Sequence, residues 1–197
     1  MKIWDTIFVQ DENIRHKIQI DSRDNESIVW TIIETIESEP KKITHSLAIA
    51  MPNKRDKIEL IVQKLSEIWI KEIYFRPSER SIIRQRNEKK LERINKIAKE
   101  AVEQSWWRFL PKIYFENDIS KIIKWKSIIV FDKKEQNTTN EIINTKGILW
   151  IVWPEWWLTD KDYERFWNEI KTISLWDTVL RTETASIIAA RYLQKNY

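Results

Sequence analysis

Glycine is the residue that this sequence most lacks. The chain has 197 residues but a single glycine, Gly147, beside 12 tryptophans, whereas an average protein of this length carries about 14 glycines. Glycine allows the positive φ angles and close backbone approaches on which tight turns depend. A mixed fold with one glycine is difficult to build, so other residues must stand at its turns.

Tryptophan occupies several positions at which a turn is expected. Trp4 and Trp176 each precede an Asp-Thr pair, and Trp69 ends a helical pattern, where a C′ glycine commonly stands. Three further tryptophans surround a proline after an apolar run: Trp153, Trp156 and Trp157. We hypothesise that most tryptophans replace glycines of the functional protein, because UGA codons that mean glycine in the source organism were translated as tryptophan. The alternative is a protein that is naturally rich in tryptophan.

Cysteine is absent, which excludes a disulfide framework, a thiol nucleophile and a cysteine-based metal site. The two histidines, His16 and His45, are too few for a histidine-rich metal site. No apolar run reaches the roughly 20 residues of a membrane span, and no signal peptide opens the chain. We therefore expect a cytoplasmic protein without a metal or a membrane partner. The net charge of +4 permits a nucleic-acid partner without requiring one.

The pattern of apolar and polar residues changes near Pro40. Residues 1–42 contain the short segments DTIFVQ, HKIQI and SIVWTIIETI, which predict strands of a small β-barrel. Residues 43–197 alternate between apolar runs such as THSLAIA and GILWIV and amphipathic patterns such as KRDKIELIVQKLSEI. DISKIIK, TDKDYERFWNEI and TETASIIAARYLQK predict further helices. This alternation predicts an α/β domain in which helices cover a parallel sheet.

The expected site lies at the carboxyl ends of the parallel strands. Two loops stand there, WPEWW after GILWIV and LWDT after KTIS, and their indoles block both as written. With glycine in place of tryptophan, the segments read VGPEGGLT and SLGDTVLRTETA. Such loops would allow main-chain N–H and C=O groups to approach a flat ligand closely, as an adenine or nucleoside site requires.

With glycine at these positions, four segments resemble motifs of the SPOUT, or α/β-knot, RNA methyltransferases. IVWPEWWLTDKDYERF resembles the Gly-Pro-Glu-Gly-Gly signature, and SLWDTVLRTETASIIAARYL resembles the Leu-Gly and Leu-Arg-Thr-Glu-Thr-Ala segment. AVEQSWWR resembles Glu-Gln-Ser-Gly-Arg, and KIELIVQKLSEIW resembles the Lys-Ala-Thr-Glu-Leu-Gly helix. The motifs stand in the family's order over about residues 45–195. Together they are similar to those of the branch that methylates N3 of a uridine in 16S ribosomal RNA.

The resemblance implies a fold, a cofactor and partners. A trefoil knot near the C-terminus would bind S-adenosylmethionine in a bent shape, in a homodimer whose active sites are completed at the subunit interface. The family's N-terminal PUA-like β-barrel binds RNA, which here implies 16S ribosomal RNA or the small ribosomal subunit as partner. Because this chain opens at MKIWDTIFV, without the barrel's first strands, we expect the barrel to be truncated.

The resemblance also assigns roles to residues. The cofactor loops and their flanks correspond to Ile151, Trp153, Pro154, Glu155, Trp156, Trp157, Leu175, Trp176, Val179, Leu180 and Thr184. Glu103, Gln104 and Arg108 match the motif that faces the target base, so Gln104 is expected to contact RNA. Apart from the resemblance, Lys64 and Arg80 are candidates for phosphate contacts by their charge, although lone basic residues on such elements more often face solvent. Methylation of N3 requires loss of the uracil proton, so we expect Arg108 or Arg181 to stabilise the developing anion. Glu183 and Glu103 are the candidates that would accept the proton.

Several of these residues also have a purely structural interpretation. Glu155 would equally cap the following helix, where the helix dipole favours its charge. Glu183 would pair with Arg181 or a neighbouring basic residue as part of the scaffold. Glu103 and Gln104 would also suit a solvated helix end.

Two other functions remain open. The same fold without catalysis would be an RNA-binding or ribosome-assembly factor, and the chain as written, with tryptophan in both cofactor loops, is expected to be inactive. Taken literally, the indoles would form a surface on which bases or sugars stack. That interpretation predicts exposed tryptophans on one face rather than tryptophans scattered at turns.

Overall fold

The computed structural model describes residues 5–10, 14–37, 44–76, 88–105, 109–116, 127–131, 147–152, 170–174 and 178–196. The chain forms two compact units, Met1–Lys41 and Lys42–Tyr197. Each unit has a β-sheet of its own.

The first unit contains β1 (Thr6–Gln10), β2 (Ile14–Arg23) and β3 (Ile28–Glu37). They form a three-stranded antiparallel sheet in the order β1-β2-β3. The turn between β2 and β3 is stabilised by Asp24, whose carboxylate accepts hydrogen bonds from the backbone N–H groups of Glu26 and Ser27. Ile18 and Ile20 are buried at alternate positions of β2, as the period of a strand requires. The strands predicted for this part of the chain are confirmed.

The second unit contains β4 (Thr44–Ala50), β5 (Glu72–Arg76), β6 (Lys112–Phe115), β7 (Ser127–Phe131), β8 (Gly147–Val152) and β9 (Ile170–Ile173). They form a six-stranded sheet in the order β6-β5-β4-β8-β7-β9, and each neighbouring pair is parallel. β8 is buried along its whole length, as expected for an apolar run in a sheet covered on both faces. The predicted parallel sheet is therefore confirmed.

The described helices of this unit are α1 (Arg55–Glu67), α2 (Glu88–Ser105) and α3 (Thr182–Asn196). Apolar residues recur along one face of each helix, and these faces meet the sheet in one hydrophobic core. α1 contributes four fully buried apolar residues, Ile58, Ile61, Val62 and Leu65. α1 packs against α2 and α3, and α3 also packs against β4 and β8.

The connections around β4 and β8 create a switch point at the centre of the sheet. From β4 the chain continues to β5 on one side, and from β8 it continues to β9 on the other. α3 then returns from the edge strand β9 to the central strands. In open parallel sheets, a ligand crevice forms at such a point, at the carboxyl ends of the strands. The predicted helix DISKIIK, the predicted helix TDKDYERFWNEI up to Glu169, and the segments that would thread a trefoil knot lie outside the described residues. Ile170, with which the second of these helices was predicted to end, begins β9 instead.

The end of α1 shows which conformation residue 69 adopts. The backbone N–H of Trp69 donates to the carbonyl of Ser66 (3.4 Å), and that of Ile70 donates to the carbonyl of Leu65 (3.2 Å). These two bonds form a Schellman motif. Trp69 has a φ angle of 74°, in the left-handed region that disfavours residues with a Cβ. It is the one non-glycine residue with positive φ in the described part of the chain. The conformation of a C′ glycine, predicted at this position, is confirmed.

Two more tryptophans fall within the described ranges, and they differ from Trp69 and from each other. Trp150 is fully buried in β8, where its ring stacks on Phe131 with 5.1 Å between the centroids. Trp30 lies on β3 and is half-exposed. A buried ring offers no surface to a base, so Trp150 does not fit the interpretation of the tryptophans as a stacking platform.

Candidate functional site

The carboxyl ends of β4 and β8 form the centre of the candidate site. The strands are neighbours, with Ile49 in register with Val152, and they end at Ala50 and Val152. Ile151, predicted to flank the adenosine, is fully buried in β8. Its side chain therefore belongs to the interior beneath this edge of the sheet.

The first turns of two helices lie at this edge. α1 begins at Arg55, shortly after the end of β4, and α3 begins at Thr182. The carbonyl of Arg181 accepts the first helical hydrogen bond of α3, from the backbone N–H of Ala185 (2.9 Å). The amino end of a helix carries a partial positive charge, so it stabilises an anionic side chain in the first turn.

Glu183 in the first turn of α3 and Lys57 in the first turn of α1 form an ion pair. The Nζ atom of Lys57 lies 3.2 Å from Oε1 of Glu183, and the two side chains are 29% and 12% exposed. Because α1 follows β4 directly, this pair also places the first turn of α3 at the carboxyl edge of the sheet. Glu183 was predicted to pair with Arg181 or a neighbouring basic residue, and Lys57 is that residue.

The second carboxylate oxygen of Glu183 is buried and has no hydrogen-bond partner among the described residues. A carboxylate has room for about four hydrogen bonds, and burying an ionised oxygen without a donor is unfavourable. The ion pair therefore satisfies only one of the two carboxylate oxygens. The free oxygen, Oε2, is suited to a ligand that brings an N–H or O–H group.

Other residues predicted for the site lie just before this turn or within it. Val179 is 60% exposed, Leu180 is partly buried and packs against the core, and Thr184 is exposed. Arg181 is also exposed. An exposed apolar residue and an exposed arginine therefore lie within four residues of Glu183 in the chain.

The residues predicted on α2 lie in solvent. Glu103 and Gln104 are exposed near the end of the helix, and the Glu103 side chain is 64% exposed, with Lys99 3.9 Å away. This placement agrees with the interpretation of a solvated helix end. Lys64 on α1 donates to both carboxylate oxygens of Glu67, at 2.9 and 3.0 Å, so a phosphate would have to compete with that pair.

Several predicted site residues lie outside the described part of the chain. They are Arg80, Arg108, Trp153, Pro154, Glu155, Trp156, Trp157, Leu175 and Trp176. Their roles stay predictions.

Lys57 is a residue that the sequence prediction missed. A signal was present, because a lysine in the first turn of a helix opposes the helix dipole and gains from a carboxylate on another element. Arg76 was missed as well. It ends β5, in register with Ala50, and is only 2% exposed, although arginine is rarely buried so completely.

Two other kinds of site are absent from the described ranges. No group of three or more histidine, cysteine, aspartate or glutamate residues there could hold a metal ion. No described helix is long and apolar enough to cross a membrane.

Comparison with known proteins identifies relatives of this chain. Residues 38–194 match the family described as "RNA methyltransferase domain". Ribosomal RNA small subunit methyltransferase E of Bacillus subtilis is 28% identical over 191 residues, which cover 88% of this chain and 74% of that protein.

Solved structures share the fold. Ribosomal RNA small subunit methyltransferase E from Neisseria gonorrhoeae, bound to S-adenosyl methionine, aligns with a TM-score of 0.82 at 22% identity over 100% of this chain and 85% of that one. A probable rRNA-methyltransferase from Porphyromonas gingivalis aligns with a TM-score of 0.80 at 22% identity, over 100% and 86% of the two chains. The fold predicted from the motifs, an α/β-knot domain with a small PUA-like N-terminal part, is confirmed by these likenesses.

Proposed function

Because this chain belongs to the family of RNA methyltransferase domains, we propose that it transfers a methyl group from S-adenosylmethionine to N3 of a uridine in 16S ribosomal RNA. The family match over residues 38–194 carries the proposal. The relative from Bacillus subtilis is named for the small ribosomal subunit, and the structure from Neisseria gonorrhoeae contains S-adenosyl methionine. The four sequence motifs resemble the uridine-N3 branch.

The described residues at the carboxyl edge fit such a ligand. An adenosine brings an apolar ring and several N–H and O–H donors. Val179 offers an exposed apolar contact to the adenine ring, and Oε2 of Glu183 is a buried acceptor that is left for the N–H group of the uracil. The two loops predicted to enclose the adenosine, 153–157 and 175–180, directly follow β8 and β9 in the chain. Glycine in these loops would give the ligand the backbone room that the indoles remove.

The chemistry needs a proton acceptor and a stabilising charge. S-adenosylmethionine supplies the methyl group as a sulfonium, which leaves as a neutral thioether, and the uracil gives up its N3 proton. Of the two predicted acceptors, Glu183 is buried and paired, whereas Glu103 lies in solvent. We therefore assign the proton to Glu183. The exposed guanidinium of Arg181 and that of Arg108 are the candidates that would stabilise the developing anion.

We also propose the partners. The RNA-binding part is residues 1–42, and the catalytic part is residues 43–197. The enzyme acts as a homodimer on the small ribosomal subunit or its 16S RNA. The net charge of +4 is compatible with an RNA partner.

Mass spectrometry of ribosomal RNA tests the function. A host that lacks the corresponding methylation would receive either the chain as written or a glycine form, which carries Trp69→Gly, Trp106→Gly, Trp107→Gly, Trp153→Gly, Trp156→Gly, Trp157→Gly and Trp176→Gly. We expect one methyluridine in 16S RNA with the glycine form and none with the chain as written. If the glycine form binds 16S RNA and S-adenosylmethionine yet adds no methyl group, the alternative of an inactive assembly factor is correct.

A further inference from the structure

We propose that Lys57 is a positioning residue of the active site: its ammonium group holds Oε1 of Glu183, so that Oε2 is left to accept the hydrogen bond of the N–H group on the target base. The inference rests on the proposed methyl transfer. It assigns a function to a residue that lies in one of the four motif segments but received no role from the resemblance.

The first observation is that the pair joins two elements that need no such bridge for packing. α1 and α3 already meet in the hydrophobic core through buried residues such as Ile58 and Ala189. The pair lies instead at the amino ends of both helices, at the carboxyl edge of the sheet. There it fixes an orientation of Glu183 rather than the contact between the helices.

The second observation is the asymmetry of the pair. The dipole of α3 favours the carboxylate of Glu183 in its first turn, whereas the dipole of α1 opposes the ammonium of Lys57. A lysine at this position is therefore stabilised mainly by its partner. The same first turn of α1 contains Asp56, whose carboxylate accepts the backbone N–H of Lys57 (2.9 Å), so Asp56 is turned towards the helix backbone.

The third observation is the state of the two carboxylate oxygens. Oε1 faces Lys57 at 3.2 Å, while Oε2 is buried without a partner among the described residues. The whole residue is 9% exposed. The contact with the ammonium fixes the position of Oε1, which leaves Oε2 as the acceptor in a defined place. Preorganised geometry of this kind is what a proton acceptor in a transfer reaction requires.

The atoms balance in the proposed step. The S–CH3 bond breaks as the N3–CH3 bond forms, and the proton of N3 passes to Oε2 of Glu183. Lys57 keeps its own protons throughout, so its role is positional.

Steady-state kinetics of the glycine form tests the inference. Lys57→Met is expected to lower kcat by about 10- to 100-fold while the Kd of S-adenosylmethionine, measured by calorimetry, changes less than about twofold. Lys57→Arg is expected to restore most of the rate, because a guanidinium also pairs with Oε1. In a Glu183→Gln background, Lys57→Met is expected to cause little further loss, since its effect acts through the carboxylate.

A matched control separates position from stability. Arg93 on α2 forms an ion pair with Glu59 on α1 at 2.7 Å, which also bridges two helices but lies outside the proposed site. Arg93→Met is expected to leave kcat unchanged.

Two results would overturn the inference. One is that the effects of Lys57→Met and Glu183→Gln on kcat are additive. The other is a loss of cofactor affinity as large as the loss of kcat, which would indicate that Lys57 contacts the methyl donor instead. A parent glycine form that methylates no RNA would overturn the proposed function and this inference together, whereas full activity of Lys57→Met would overturn the inference alone.

Discussion

The backbone N–H of Ile70 donates to the carbonyl of Leu65 across 3.2 Å, and the chain can make this bond because Trp69 between them turns with a φ angle of 74°. Ile70 and Leu65 are both buried, so the turn also returns the chain to the core. The bond geometry is that of a helix end at which glycine is usual. A tryptophan here must accept the steric cost of the left-handed conformation, and the residue is 37% exposed.

Trp69→Gly is therefore expected to stabilise the protein. Removal of the Cβ relieves the left-handed strain, which costs non-glycine residues about 1–2 kcal/mol, and part of this gain is offset by the greater freedom of glycine in the unfolded chain. We expect a net gain of about 1 kcal/mol in the free energy of unfolding, measured by urea denaturation. Trp69→Ala is the control, because it removes the ring but keeps the Cβ. If alanine stabilises as much as glycine, the strain at residue 69 is not the cause.

Trp150→Gly is expected to have the opposite effect. Trp150 is fully buried and stacks on Phe131, and truncation of a buried tryptophan typically costs about 3–5 kcal/mol. Circular dichroism measures the loss of folded protein, and Trp150→Phe should lose far less stability.

The contrast between these two tryptophans should also be visible in the gene: we expect a UGA codon at position 69 and a UGG codon at position 150. A UGA codon at 150 would show that burial does not distinguish the two classes of tryptophan.

Local patterns in the sequence were enough to predict the main described elements of the second unit. The spacing of Ile58, Ile61 and Leu65 predicted the buried face of α1, because a helix repeats its faces every 3.6 residues. The apolar run at 147–152 predicted the central strand β8, which is buried on both faces. Trp69 was predicted at a turn because the helical pattern stops there.

Long-range relationships were not accessible in the same way. The position of β4 beside β8 depends on the order β6-β5-β4-β8-β7-β9, which no local period encodes. The pair of Lys57 and Glu183 joins residues from opposite ends of the domain, so it follows from the return of α3 to the centre of the sheet. The first turn of each helix could be predicted, but which two first turns meet could not.

Cofactor affinity should depend on glycine in the two loops. In calorimetric titrations with S-adenosylmethionine, we expect the glycine form to bind at least about tenfold more tightly than the chain as written, a difference of about 1.4 kcal/mol. The reason is that indoles at 153, 156, 157 and 176 would occupy the space of the adenosine. Trp69→Gly alone serves as the control, because it should improve stability without restoring affinity. Equal affinity of the two forms would contradict the glycine hypothesis at these loops.

The Glu59 carboxylate should make stability depend on pH. Hydrogen bonds from the Arg93 guanidinium hold the pKa of Glu59 below its ordinary value of 4.5. Because the folded pKa is lower than the unfolded one, the stabilisation is present above about pH 4.5 and is lost as the pH falls through the folded pKa. Glu59→Gln should therefore destabilise the protein near neutral pH, and the gap to the parent should close in acid. Urea unfolding at a series of pH values measures this, and a gap independent of pH would contradict it.

The two candidate arginines can be distinguished by separating binding from chemistry. Arg108 belongs to the motif that resembles the one facing the target base, so Arg108→Ala in the glycine form should abolish methylation while cofactor affinity stays nearly intact. Arg181 precedes the first turn of α3, beside Glu183 and Val179, where its loss would also disturb residues predicted to hold the adenosine. Arg181→Ala should therefore lower affinity and rate together. Methylation assays with RNA, combined with calorimetry on the same preparations, measure both quantities. Comparable loss of affinity and rate in Arg108→Ala would remove that residue from the role of anion stabiliser and leave Arg181 as the candidate.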